Sequence, residues 1–173
     1  MSRSQPSFFG SLREDDDEAA RRDALERAGK FLGRRARSES EVRDALTQAG
    51  FEPGVTEATI GKLHELELLD DGAFARQWIE ERARRKGLGP RRLLSELRLR
   101  GVADDTARQA LDESGPDEET QAKEVAAGLV RKVASRPLAQ QAMRLQQMLL
   151  ARGFALEAAV AAVRAVLPPE GWD

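Results

Sequence analysis

The stretch Leu93-Leu94-Ser95-Glu96-Leu97-Arg98-Leu99-Arg100-Gly101-Val102 occurs three times in outline along the chain. Its counterparts are Val42-Arg43-Asp44-Ala45-Leu46-Thr47-Gln48-Ala49-Gly50-Phe51 and Leu145-Gln146-Gln147-Met148-Leu149-Leu150-Ala151-Arg152-Gly153-Phe154. The glycines are 51 and 52 positions apart, and apolar residues stand eight and four positions before each: Val42 and Leu46, Leu93 and Leu97, Leu145 and Leu149. A spacing of four places such a pair on one helical face. The glycine is then the residue just past the helix, where positive φ is needed and a Cβ is costly. The apolar residue after it packs back on the helix it ends. A further apolar residue ten positions on, Ile60, Leu111 or Val163, belongs to a second helix: Pro53 to about Leu69, Asp104 to about Glu113, and Leu156 to Leu167. Asp104 suits an N-cap and Pro53 a first helical turn.

Upstream of each pair the spacing predicts a longer helix, over about Glu18 to Leu32, Asp71 to Arg85 and Asp117 to Ala134. Ala24, Leu25, Ala28, Phe31 and Leu32 face inward in the first, Phe74, Ala75, Trp78 and Ile79 in the second, and Val125, Leu129, Val130 and Val133 in the third. Breakers separate the elements at Gly33, Ser38, Gly87 to Pro90, Ser114-Gly115-Pro116 and Arg136-Pro137. The expectation is an all-α protein of three tandem three-helix repeats at 18–69, 70–115 and 116–167. A flexible acidic tail at 1–17 and a short tail at 168–173 flank them. A unit of this size has a marginal core, so each should lean on the next in an elongated, curved stack.

Composition agrees. Of the 173 residues, 40 % are hydrophobic and 34 % charged, and tyrosine is absent. Ala, Leu, Arg and Glu, all good helix formers, dominate. There is no cysteine and His64 is the only histidine. That argues against thiol chemistry and a zinc site, and fits a reducing cytoplasm. His64 lies in the helical run Lys62 to Leu66 with no nucleophile elbow in the chain, so no catalytic residue, metal or cofactor is expected. The most apolar stretch, Ala155 to Leu167, is interrupted by Glu157 and Arg164 and is too short to span a membrane.

Net charge is −2, yet it is unevenly placed. Arg76 to Arg100 holds nine basic and three acidic residues, whereas Asp104 to Glu124 holds eight acidic and two basic ones. Such asymmetry implies a partner with its own charge pattern. The expected contact residues are Arg82, Arg84, Arg85 and Lys86 at the end of one helix, and Arg91, Arg92, Arg98 and Arg100 on the next. The Gly87-Leu88-Gly89-Pro90 turn should bring the two groups together. Arg91, Ser95 and Arg98 share one face at spacings of four and three. That turn follows no strand and precedes no Lys-Ser/Thr, so it is no phosphate loop. Phe74 and Trp78 read as core, and Asp70 and Asp71 as caps of the helix they precede.

The series Leu69-Asp70-Asp71, Phe74-Ala75…Trp78, Gly87-Leu88-Gly89-Pro90-Arg91-Arg92 and Arg100-Gly101-Val102 resembles the RecX family. Arg37-Ser38-Glu39-Ser40-Glu41-Val42, Gly50-Phe51 and Arg152-Gly153-Phe154 extend the resemblance over about residues 20 to 167. The family usually has an aromatic where Leu88 stands, which weakens any stacking role there. The resemblance implies three tandem three-helix units. It also implies a cytoplasmic, monomeric, non-enzymatic regulator that binds the RecA recombinase filament on DNA. Such a regulator restrains strand exchange, ATP hydrolysis and co-protease activity, and so bears on recombination, repair and the SOS response. Some members bind DNA themselves. The alternative from the residues is a stand-alone DNA-binding protein with helix-turn-helix-like units.

Overall fold

The computed structural model describes residues 8–168, and side chains from residue 16 onward. Among them are nine α-helices and no strand: α1 (Phe8–Leu32), α2 (Glu39–Gln48), α3 (Pro53–Glu65), α4 (Asp71–Lys86), α5 (Pro90–Arg98), α6 (Asp104–Ser114), α7 (Glu118–Leu129), α8 (Leu138–Ala151) and α9 (Leu156–Val166). Of the expected tails at 1–17 and 168–173, residues 1–7 and 169–173 lie outside the described residues. The chain divides into two compact units, residues 1–71 and 72–173. The first unit holds one three-helix repeat and the second holds two.

The periodic glycines do what their spacing requires. Gly50, Gly101 and Gly153 have φ of 87°, 75° and 90°. In each repeat the amide of the next residue reaches back five positions: Phe51 N–H to Leu46 O, Val102 N–H to Leu97 O and Phe154 N–H to Leu149 O, at 3.2, 3.2 and 3.3 Å. This is the Schellman closure, and it turns an apolar side chain onto the helix just ended. Val102 and Phe154 are buried as a result. Leu46, Leu93, Leu97, Leu145, Leu149 and Val42 are all essentially inaccessible.

Each repeat has its own core. Ala24, Ala28, Val42, Leu46, Ile60, Leu63 and Leu69 form the first. Phe74, Trp78, Ile79, Leu93, Leu97 and Ala107 form the second, and Ala122, Ala126, Leu145, Leu149, Phe154, Ala159 and Val163 the third. The third is rich in alanine, so α7 and α9 approach more closely than α4 and α6 do. In the second, Phe74 and Trp78 stack at 5.9 Å between ring centroids, and their bulk holds the backbones apart.

Several boundaries differ from expectation. The first helix reaches back to Phe8 rather than Glu18, because no proline interrupts the run before Gly33. Residues 8–17 are therefore helical instead of tail. The third helix ends at Glu65, short of Leu69. Glu67 takes φ of 55° and Leu68 N–H bonds to Leu63 O, a reversal that delivers Leu69 to the core. The seventh stops at Leu129 and tightens into a 3-10 turn over Val130–Lys132, not continuing to Ala134. Gly128 and the β-branched Val130 and Val133 weaken an α-helix there.

Two acidic residues cap differently from expectation. Asp104 is the first residue of α6 rather than its cap: the N-cap is Ala103, and the Asp104 carboxylate is engaged by Arg98. Asp71 serves α2 instead of α4, since its Oδ1 accepts the Glu39 N–H at 2.8 Å. Burial raises its pKa above the usual carboxylate value. Beside it Ser38 and Glu41 form a reciprocal capping box at the start of α2.

Candidate functional site

The eight basic residues singled out from the sequence all lie in the second repeat, on α4, α5 and the residues just beyond them. They do not form one uniform patch. Arg82 and Arg100 are half-buried, and their guanidinium carbons sit 4.1 and 3.9 Å from the Trp78 ring centroid. Cation–π attraction is stronger where water is excluded. Trp78 also donates from Nε1 to Glu96 Oε2 at 3.2 Å. The buried Arg82 Nε makes no hydrogen bond and faces the same oxygen at 3.6 Å. Arg92 approaches the other Glu96 oxygen at 3.9 Å. Arg82 thus lies between the ring and the carboxylate, with Arg100 over the ring and Arg92 beside the carboxylate.

The remaining members are exposed. Arg98 grips Asp104 with two bonds of 3.0 Å. The pairing lowers the Asp104 pKa and raises that of Arg98. Arg85 lies 3.5 Å from Glu81. Arg84, Lys86 and Arg91 are exposed and pair with no described residue. Arg82 and Arg100 thus pack over Trp78 within the chain, and Arg98 is paired with the helix that follows it. The free positive charge belongs to Arg84, Lys86 and Arg91, with Arg92 partly free.

The Gly87–Pro90 turn does join α4 to α5, and its position is held by the third repeat. Gly89 N–H donates to Arg152 O at 2.9 Å, and Arg91 N–H to Gly153 O at 3.1 Å. Gln121 Nε2, on α7, donates to Leu88 O at 3.1 Å. A Cβ on Gly89 would lie 2.7 Å from Phe154 N, and one on Gly153 would lie 2.3 Å from Arg92 N. The glycines therefore permit backbone-to-backbone contact. The turn's donors face carbonyls rather than an open cradle, so it has no geometry for phosphate. Leu88 packs against the second core instead of offering a stacking face. Sequence reasoning missed Glu96, Gln121 and the Arg152-Gly153 carbonyls. Only the glycine at 153 carried a signal for them, through the repeat.

The other polar clusters are structural. His64 Nε2 lies 2.7 Å from Glu39 Oε2, and Arg43 joins Glu39 to Glu57. His64 is the first cause of a lowered Glu39 pKa. No group of three or more metal-ligating side chains occurs among the described residues. No described helix is long and apolar enough to cross a membrane.

Comparison with known proteins assigns the first two repeats. Residues 24–63 match the model of the RecX first three-helix domain, and residues 70–111 that of the RecX second three-helix domain. The regulatory protein RecX of Thermobifida fusca is 34 % identical over 145 residues, covering 83 % of this chain and 78 % of that one. The RecX of Mycobacterium avium is 30 % identical, covering 82 % and 83 %. A crystal structure of RecX from Lactobacillus salivarius superimposes with a TM-score of 0.74 at 21 % identity, covering 88 % of this chain and 97 % of that one. Another regulatory protein RecX gives 0.76, also at 21 %, over 91 % and 78 %. At that identity the likeness is one of fold.

Proposed function

The chain belongs to the RecX family, and from that premise we propose that it binds the RecA filament on DNA and restrains its ATPase, strand-exchange and co-protease activities. It acts as a monomer in the cytoplasm, without cofactor and by binding instead of catalysis. The observation that carries this reading is the concentration of positive charge on the second repeat. There Arg84, Lys86 and Arg91 are exposed and pair with no described residue. A basic face of this kind suits an acidic groove or a phosphate backbone. Base reading is not part of the proposal, since no Asn or Gln cluster accompanies the arginines.

The test is a titration of the protein into the DNA-dependent ATPase of the cognate RecA. Inhibition at or below equimolar amounts is expected, and no change in ATPase, strand exchange or repressor cleavage rejects the reading. Arg91→Glu/Arg92→Glu/Arg98→Glu should weaken inhibition with helical content unchanged. The same unpaired cations favour a second reading, direct binding to DNA without RecA. It requires tight binding with a steep inverse dependence on salt, read by mobility shift across a salt series. The −6 balance over Asp104 to Glu124 opposes it.

A further inference from the structure

The helices α2 and α5 occupy the same place in successive repeats and begin differently. α2 is capped from within, by the Ser38–Glu41 box. α5 has no such device: its N-cap is Gly89, which has no side chain, and its first residue, Pro90, has no N–H to donate. The first amides of a helix have no partner inside it, and neither do the last carbonyls. Two helix ends here meet those needs for each other. Gly89 N–H donates to Arg152 O at 2.9 Å, and Arg91 N–H to Gly153 O at 3.1 Å. Arg152 and Gly153 are the C-cap of α8 and the residue after it. The negative end of one helix dipole thus abuts the positive end of another. α7 braces the joint. Gln121 Nε2 donates to Leu88 O at 3.1 Å, and a Cβ on Gly87 would lie 2.8 Å from Val125 Cγ2. The capping glycine of the first repeat makes no such approach: nothing lies within 4 Å of a Cβ built on Gly50, whereas one on Gly153 meets Arg92 N at 2.3 Å.

We infer that the third repeat is a built-in splint for the basic one: the start of α5 is held by the end of α8, and the second and third repeats open as one cooperative unit although their apolar cores are separate. This coupling does not depend on the RecA reading. Unfolding the third repeat removes the partners of Gly89 N–H, Arg91 N–H and Leu88 O together. Leu93 and Leu97 anchor α5 to its own core, but its first turn is held by the joint. A helix of nine residues is too short to persist without tertiary support. Its first turn therefore loosens with the third repeat, and Arg91 and Arg92 lose their places with it. Any event that loosens the third repeat thus disarms the start of the basic face.

The test is amide hydrogen exchange on the full chain in low urea, read at Leu97 in α5 and Val163 in α9, both buried. Gln77→Gly on α4 and Gln147→Gly on α8 place one chemical change at exposed mid-helix sites, one in each repeat. Glycine within a helix should shift the opening equilibrium about two- to fivefold. Each variant should speed exchange at both reporters by the same factor. Gly89→Ala cuts the joint. Its φ of −80° suits any residue, but the added carbon would lie 2.7 Å from Phe154 N and 2.8 Å from Gly153 O. In that background Gln147→Gly should still speed Val163 and leave Leu97 unchanged. An effect of each Gln→Gly change confined to its own repeat, with Gly89 intact, overturns the inference. So does transmission that survives Gly89→Ala undiminished, because the coupling then runs outside the joint.

Discussion

The second and third repeats share one backbone plan and draw on different side-chain physics. In the second, Trp78 is the hub: it packs in the core, stacks with Phe74, donates to Glu96 and carries two guanidiniums over its ring. In the third, no residue has that role. Ala122, Ala126, Ala158, Ala159 and Ala162 let two helices close on each other, and Phe154 fills the end. The second repeat holds charge near its core and shows charge outward. The third is packed tight around alanine. The difference indicates that the repeat constrains caps and inward leucines, while the outward positions vary without disturbing the fold.

That contrast can be broken by experiment, starting with the largest effect. Trp78→Ala should cost about 3–5 kcal/mol, as for other buried large-to-small changes, and it should also release Arg82, Arg100 and Glu96 from their positions. Urea unfolding measures the loss. A cost below about 1 kcal/mol would mean that the second repeat has no aromatic hub.

The next test concerns the caps. Gly153→Ala meets two penalties: positive φ, about 1–2 kcal/mol for a residue with a Cβ, and collision with the Arg92 backbone, about 1–3 kcal/mol for forced overpacking. Gly50→Ala meets only the first, since nothing lies within 4 Å of the added carbon. The third-repeat variant should therefore be the less stable of the two by urea unfolding, and the RecA inhibition proposed above should fall with the displaced Arg91 and Arg92. Equal losses would show that the turn of the second repeat does not depend on the third.

The smallest effect is electrostatic. Asp104 in the second repeat has its pKa lowered by the Arg98 bonds, and Asp117 in the third by the Thr120 amide and hydroxyl at the start of α7. Both folded values lie below the ordinary 3.8. Each contribution is thus fully present above that value and is lost as pH falls through the lowered one. At about 1 M salt the Debye length is roughly 3 Å, so an exposed ion pair weakens while a cap bond persists. Comparing Asp104→Asn with Asp117→Asn by Tm at neutral and acid pH, salt should shrink the first effect and spare the second. Equal salt sensitivity would erase the distinction.

Much of this was legible along the chain because helices are local. Leu46, Leu97 and Leu149 mark an inward face by spacing alone. Gly50, Gly101 and Gly153 mark the ends of their helices because only glycine takes positive φ cheaply. The basic segment was equally plain. What spacing could not show is who meets whom. Arg82 and Arg100 read as free cations until Trp78 is placed beneath them. Asp71 read as the cap of its own helix until Glu39, 32 positions earlier, is brought to it.

By itself, then, the sequence determined three helical repeats, their caps, their inward leucines and the uneven charge. Each of these depends on φ preference or on periodicity within a dozen residues. The tertiary structure alone decided that the Gly87–Pro90 turn rests on Arg152 and Gly153, and that Glu96 accepts the Trp78 N–H with Arg82 beside it. These are contacts between segments remote in the chain, and their partners are chosen by packing, which no local pattern encodes.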